Sequence, residues 1–245
     1  MTGKTYLFID AGIEKLHIRH ADGNSGEPHD RIYLHRGQLE HFLDDVKNIR
    51  RESTEKTGGS PEIYLTGKLS AQARSFLGHG KRLHPETVLW QAAGCLLTNP
   101  PDHLQPVQSA AIIDFSASGF CIAAAHQQQG ITPRFLEKNP SCGAGSGINL
   151  QRVLEKLNIA ADDVDSILRD YLGNEGQTLR NDLPIRMERC GVFSVSATVS
   201  DKNQGIPIEH ALAVTMKSEA AKAASRVPPD ISRVYLTGGI FRWQF

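Results

Sequence analysis

Two pentapeptides far apart in the chain, Ile63-Tyr64-Leu65-Thr66-Gly67 and Val234-Tyr235-Leu236-Thr237-Gly238, read as the same strand ending on the same glycine. Each closes a segment of like order. Tyr6 to Ile9 is an apolar run ending in Asp10-Ala11-Gly12, and the alternating Leu16-His17-Ile18-Arg19 answers it as a hairpin partner. Arg31 to His35 supplies a third strand, followed by a helix marked by Leu39, Phe42, Leu43 and Val46 and then a polar loop from Arg50 to Ser60. Two further helices, about Ser70 to Leu77 and Pro85 to Leu97, precede a break at Asn99-Pro100-Pro101 and Pro106. The order then returns: Ala110 to Ile113 ending in Asp114, Phe120 to Ala125, Ile131 to Leu136, and a helix starting near Gly145. Helices are also predicted at about Ala161 to Leu172 and Ile208 to Arg226. Such self-similarity predicts two related lobes, 1–105 and 106–245, each with antiparallel-type strands, a helix and a returning strand, and a ligand cleft between them.

In this repeat Asp10 and Asp114 hold matching positions at the ends of their first strands. Two carboxylates so placed are suited to hold hydrated Mg2+ and to orient water toward a terminal phosphate, with the tight hairpin turns carrying the phosphate oxygens. Asn139-Pro140-Ser141-Cys142-Gly143-Ala144-Gly145-Ser146-Gly147 runs into an amphipathic helix carrying Leu150, Val153, Leu154 and Leu157. Close-approaching backbone N–H groups and the positive end of that helix favour phosphate or thiolate there, and a cysteine at a helix start ionises more easily than a free one. Cys95, Cys121, Cys142 and Cys190 stand far apart without a C-x-x-C, so neither a zinc site nor a disulfide framework is indicated. Cys95 and Cys121, each inside an apolar segment, read as small core residues. Lys+Arg and Asp+Glu are both 27, so charge argues against nucleic acid or an anionic membrane. No run approaches the ~18 apolar residues of a spanning helix, and the start of the chain is not a signal peptide, which points to the cytoplasm. Histidines 17, 20, 35 and 41, scattered over strands and a helix start, read as solvated.

These residues carry a resemblance. The chain resembles the ATPase activators of 2-hydroxyacyl-CoA dehydratases and the ATPase subunits of benzoyl-CoA reductase, within the superfamily of acetate kinase, sugar kinases, heat-shock chaperones and actin. Asp10-Ala11-Gly12 stands where that family has its first phosphate hairpin, Ile112-Ile113-Asp114 where it has the second, and Leu236-Thr237-Gly238-Gly239 where its adenosine motif begins. Cys142 matches the cysteine of a C-x-x-G-x-G loop, and Cys190-Gly191-Val192-Phe193 matches a C-x-V-F segment. The resemblance implies a duplicated actin-like, ribonuclease-H-like two-lobe α/β ATPase fold with mixed sheets, its second lobe incomplete at the C-terminus because the sequence stops a few residues past the adenosine motif. It further implies ATP with Mg2+ at Asp10, Asp114, Gly12, Thr237, Gly238 and Gly239, and a homodimer in which Cys142 and Cys190 of each chain hold one 4Fe-4S cluster beside Gly143, Gly145 and Gly147. The partner would be an acceptor dehydratase or reductase that receives a low-potential electron. The hairpins depart from the family: Ile13, Glu14 and His17 replace small hydroxyl residues and a lysine, and Ser116-Ala117-Ser118-Gly119 replaces a Gly-Gly-Gln-Asp pattern. A small-molecule kinase of the same superfamily, with Asp114 as general base, and a catalytically silent binding subunit are the alternatives.

Overall fold

The structure is a computed structural model and describes residues 4–13, 15–22, 28–35, 37–116, 119–127, 131–138, 147–173, 181–186 and 191–239. It divides into two compact units, 1–88 and 89–245. In the first, strand β1 (Thr5–Ala11) alternates, with Leu7, Ile9 and Ala11 buried on one side and Phe8 and Asp10 exposed on the other. Strand β2 (Lys15–Asp22) pairs antiparallel with β1, and β3 (His29–Leu34) antiparallel with β2. Strand β4 (Glu62–Thr66) runs parallel to β1, and the short β5 (Lys81–Arg82) parallel to β4, giving the order β3-β2-β1-β4-β5.

Helices α1 (Leu39–Thr57) and α2 (Ser70–Leu77) cover the apolar side of this sheet. Leu39, Leu43, Val46 and Ile49 of α1 and Ala73 and Leu77 of α2 close one core over Leu7, Ile9, Leu16, Ile18, Ile63 and Leu65. The polar stretch from Arg50, expected as a loop, instead forms the last turns of α1. Ile49 and Ser53 continue its buried stripe, and the helix stops only at Gly58, whose left-handed φ of 72° lets its N–H reach Thr54 O at 2.9 Å. Polarity there marks the solvent face of a helix rather than its end.

The second unit repeats the strand order. Strands β6 (Ser109–Ser116), β7 (Gly119–Gln127), β8 (Ile131–Lys138) and β9 (Arg233–Gly238) lie as β8-β7-β6-β9, with β9 parallel to β6 and the other pairs antiparallel. Unlike β1, strands β6 and β7 are buried on both faces. Ala111, Ile113, Phe115, Phe120, Ile122 and Ala124 pack with Ala223 on one side. On the other, Ala110, Ile112 and Ala125 meet Ala93 and Leu97 of helix α3 (Pro85–Thr98). Helix α3 therefore precedes the prolines at 100 and 101 in the chain, yet its apolar face belongs to the second sheet, and the division between the units falls inside it. Between β8 and β9 come α4 (Gly147–Leu157), α5 (Val164–Leu172), α6 (Gly191–Asn203) and α7 (Ile208–Ala224), which share a core of Val153, Leu154, Leu157, Val164, Leu168, Leu212 and Val214.

Candidate functional site

The repeat is visible residue by residue where β1 and β6 end. Asp10 is registered against Thr66 of the parallel neighbour β4, and Asp114 against Thr237 of the parallel neighbour β9. A glycine follows each threonine in the left-handed region, Gly67 at φ 88° and Gly238 at φ 108°. Neither has room for a side chain: a Cβ at Gly67 would run into Asp10 Oδ1 and Ala11 O, and one at Gly238 into the backbone of Phe115. Both units thus press a glycine backbone against the end of the strand that carries the aspartate. In the first unit this crowds backbone polar groups around the Asp10 carboxylate, a fitting surround for a hydrated cation and phosphate.

In the first unit this edge is braced by His35. Its ring is 1 % exposed, Nε2 lies 3.0 Å from Gly12 O, and Nδ1 accepts the Gly37 N–H at 3.2 Å. An accepting Nδ1 leaves the proton on Nε2, so the neutral ring donates to Gly12 and ties the turn after β1 to the turn before α1. This histidine was expected to be solvated. Nothing local in its sequence distinguishes it, because one partner is merely the backbone N–H two residues on and the other, Gly12 O, is brought in by the sheet. The turn itself is closed by Gly12 N–H donating to Lys15 O at 2.9 Å, and Leu69 N–H donates to Ala11 O at 2.8 Å. Thr66 Oγ1, beside Asp10, is buried and has no hydrogen-bond partner among the described residues.

His17, directly across the hairpin from Asp10, sits 3.0 Å from Asp30 Oδ1, while Arg19 grips both oxygens of Asp30 at 2.8 and 2.7 Å. Those Arg19 hydrogen bonds, with His17 adding to them, hold the Asp30 carboxyl well below the usual carboxylate range. Both of these side chains on this sheet face are thereby committed to an acid. Lys15, on the same strand face as His17, makes no ion pair among the described residues and is the cation the hairpin keeps in reserve. The sequence alone does not mark Lys15, because the resemblance places the hairpin's lysine where His17 stands.

Asp10 has its pKa raised, chiefly by desolvation, against the pull of His17. Its side chain still meets solvent, so the dense surround and the open tip act in opposite directions and the shift has a small energetic weight. A carboxyl whose pKa is raised by folding contributes stability below its unfolded value that is lost as pH rises through the folded value. Asp10→Asn, a neutral isostere, is therefore expected to melt at the same temperature as the parent or slightly above it at pH 7. That difference should shrink as pH falls through about 4 and vanish below about pH 3, where Asp10 is neutral in the folded and the unfolded chain. Melting curves of the two proteins across this range decide the matter, and a lower Tm for the variant at pH 7 would contradict it.

In the second unit Asp114 faces Cys121 across the hairpin. Burial first, and the Asp114 charge second, push the Cys121 thiol up to about 11, so as a free thiol it stays protonated at neutral pH. Cys95, expected in a core, is exposed on α3. Thr237, Gly238 and Gly239 are exposed at and just past the end of β9. Cys142, Gly143, Gly145 and Cys190 lie outside the described residues, whereas Gly147 opens α4.

The helices that follow those two cysteines in the chain are joined at their first turns. Asn149, third residue of α4, donates to Glu219 Oε1 at 3.4 Å, and Ser194, fourth residue of α6, donates to the same oxygen at 3.2 Å. Lys222 Nζ completes the set at 2.9 Å, with Glu219 and Lys222 both on α7. Glu219 is 2 % exposed and its Oε2 has no partner among the described residues. One rung along, Thr198 of α6 and Thr215 of α7 pair their hydroxyls at 2.8 Å. A buried carboxylate that three donors share holds α4, α6 and α7 in one register. Among the described residues, no group of three or more His, Cys, Asp or Glu is arranged to hold a metal ion, and no helix is long and apolar enough to cross a membrane.

Two mixed sheets of one strand order, each with a parallel return strand and an aspartate at the end of its first strand, define a duplicated actin-like, ribonuclease-H-like ATPase fold. Within that class the chain is similar to component A of the (R)-2-hydroxyglutaryl-CoA dehydratase of Acidaminococcus fermentans. The TM-score is 0.68 at 17 % identity, over 97 % of this chain and 83 % of that chain. It is also similar to the activator of the 2-hydroxyisocaproyl-CoA dehydratase from Clostridium difficile, solved with bound ADPNP, with a TM-score of 0.60 at 16 % identity over 98 % of this chain and 81 % of that one. At such identities the likeness establishes the fold. No family model and no curated protein matches the sequence.

Proposed function

We propose that this protein is an ATP-dependent activator of a 2-hydroxyacyl-CoA dehydratase or a related reductase, working as a cytoplasmic homodimer. The observation that carries the reading is the Glu219 joint. It brings together the first turns of the two helices whose preceding residues include Cys142 and Cys190, with Gly147 and Gly191 as the helix starts. The fold shared with two dehydratase activators supports it independently. Two thiolates from each of two chains match the four thiolates a 4Fe-4S cluster takes, and helix starts favour the thiolate form. When bound, such a cluster supplies one-electron transfer at low potential. The chain's own part is to present two of the four sulfurs, Cys142 and Cys190, to keep α4 and α6 in register through Glu219, and to exclude water from that joint.

On the nucleotide side, Asp10 and Asp114 are assigned to hydrated Mg2+ and to orienting water at the terminal phosphate, with Lys15 and Thr66 Oγ1 as additional contacts on the first unit. The buried, unpartnered Thr66 hydroxyl and the close glycine backbones fit a phosphate-bearing ligand. Gly12, Thr237, Gly238 and Gly239 line the turns that would carry its oxygens and the start of the adenosine contact. Nucleotide can shift the protein between two states only by binding them unequally.

Anaerobically reconstituted protein is expected to carry about four irons per dimer with a broad brown absorbance, and Cys142→Ser and Cys190→Ser are each expected to lose both. Colourless, iron-free protein that still binds ATP would remove the redox reading and leave a kinase of this fold. Loss of both iron and nucleotide binding would leave a silent subunit.

A further inference from the structure

At the end of the first unit away from Asp10, where α1 and α2 cross the start of β4, a cavity of about 240 Å³ is lined by Val46, Lys47, Arg50, Ile63, Leu77 and His79. Its chemistry is two-sided. Ile63 and Leu77 supply an aliphatic floor, and Lys47, Arg50 and His79 form the rim. Arg50 is held from one side only: its Nε donates to Ser60 Oγ at 3.0 Å, and its two terminal nitrogens have no partner among the described residues. That fixes the plane of the guanidinium and leaves its two-pronged edge unused, the edge that matches a carboxylate. Lys47 Nζ lies 3.9 Å from the centre of the Phe76 ring and 3.1 Å from Asp44 Oδ1, so it adds positive field while committed elsewhere.

His79 is placed by its neighbours. Gly78 and Gly80 on either side both take left-handed backbone, at φ 73° and 118°. A Cβ at Gly80 would collide with the Leu65 side chain, so the turn is specific to glycine. Nδ1 is 2.6 Å from Leu77 O and carries a proton there, and Nε2 is buried with no partner among the described residues. An oriented guanidinium and an unpartnered buried imidazole nitrogen around an aliphatic floor are polar features a packing core does not need.

We propose that this cavity is a binding site for a small carboxylate with a short aliphatic chain, its carboxylate on the terminal nitrogens of Arg50 and its chain on Ile63 and Leu77. The volume is below the usual ~300 Å³ lower bound for larger ligands, which sets the size of the guest. The inference rests on the helix side of the first unit and is independent of the nucleotide and cluster assignments.

The test is a titration of the whole chain with butyrate, followed by methyl and imidazole NMR signals, with inorganic phosphate and 1-butanol as comparison probes. Butyrate is expected to produce saturable shifts confined to Val46, Ile63, Leu77 and His79, and Arg50→Gln to weaken binding at least about tenfold. Arg50→Lys, which keeps the charge and loses the fork, should fall between. Should Arg50→Gln melt well below the parent, Arg50→Lys alone decides, and full parental affinity there would overturn the bidentate assignment. Equal binding of phosphate would overturn the aliphatic part, equal binding of butanol the anionic part, and no saturable shift the whole site.

Discussion

Gly238→Ala is expected to lose the second unit's native sheet, at a cost of at least about 4 kcal/mol, with little soluble folded protein recovered. Two effects add at this position. A φ of 108° is costly for any L-residue, and the new Cβ would occupy the space of the Phe115 carbonyl across the β6–β9 pair. Gly58→Ala isolates the first effect, since Gly58 has a φ of 72° but nothing within 4 Å of the added carbon. That substitution should cost only about 1–2 kcal/mol. Gly67→Ala should behave as Gly238→Ala does, because its Cβ meets Asp10 and Ala11 in the same way. Chemical denaturation of the three variants ranks them, and an alanine at 238 no more harmful than one at 58 would refute the close approach of β9 to β6.

The second large effect is at the buried carboxylate. Glu219→Ala is expected to destabilise the second unit by about 3–5 kcal/mol, because it leaves the Lys222 ammonium buried with no counter-charge. Asn149 and Ser194 lose their shared acceptor in the same step. Combining Glu219→Leu with Lys222→Met removes both charges and fills the space, and should recover most of the loss. Hydrogen exchange should show the first turns of α4 and α6 opening in Glu219→Ala and closing again in the double variant. A single variant as stable as the parent would mean that Glu219 does not hold the joint. If the redox reading holds, iron loading should follow the same order as the exchange.

The repeat was legible because it is written in alternation and turns. Two apolar strands ending in Asp10 and Asp114, and two ending in Thr-Gly, were enough to give the duplicated succession of elements; the α/β class followed from the family resemblance, and the strand order with its parallel return strands came only from the structure. The Gly67 and Gly238 positions were legible too, as ends of strands, though not the reason they must be glycine. Helix α1 was read too short, since a run such as Arg50-Arg51-Glu52 has the same composition on a helix's solvent face as in a loop. Cys95 was read as core because α3 is apolar overall, and only its packing on β6 and β7 shows which side of it faces water.

What the sequence by itself determined is therefore local and periodic: where strands and helices lie, which glycines and aspartates end them, and that the pattern occurs twice. Tertiary structure decided everything that depends on which distant residues meet. His35 finds Gly12, Asp30 takes His17 and Arg19 and leaves Lys15, and Glu219 gathers Asn149 and Ser194. The physical reason is that a backbone's preference for strand, helix or turn is set by nearest neighbours. A buried polar side chain persists only if partners from elsewhere in the chain satisfy it, and no spacing along the sequence encodes that.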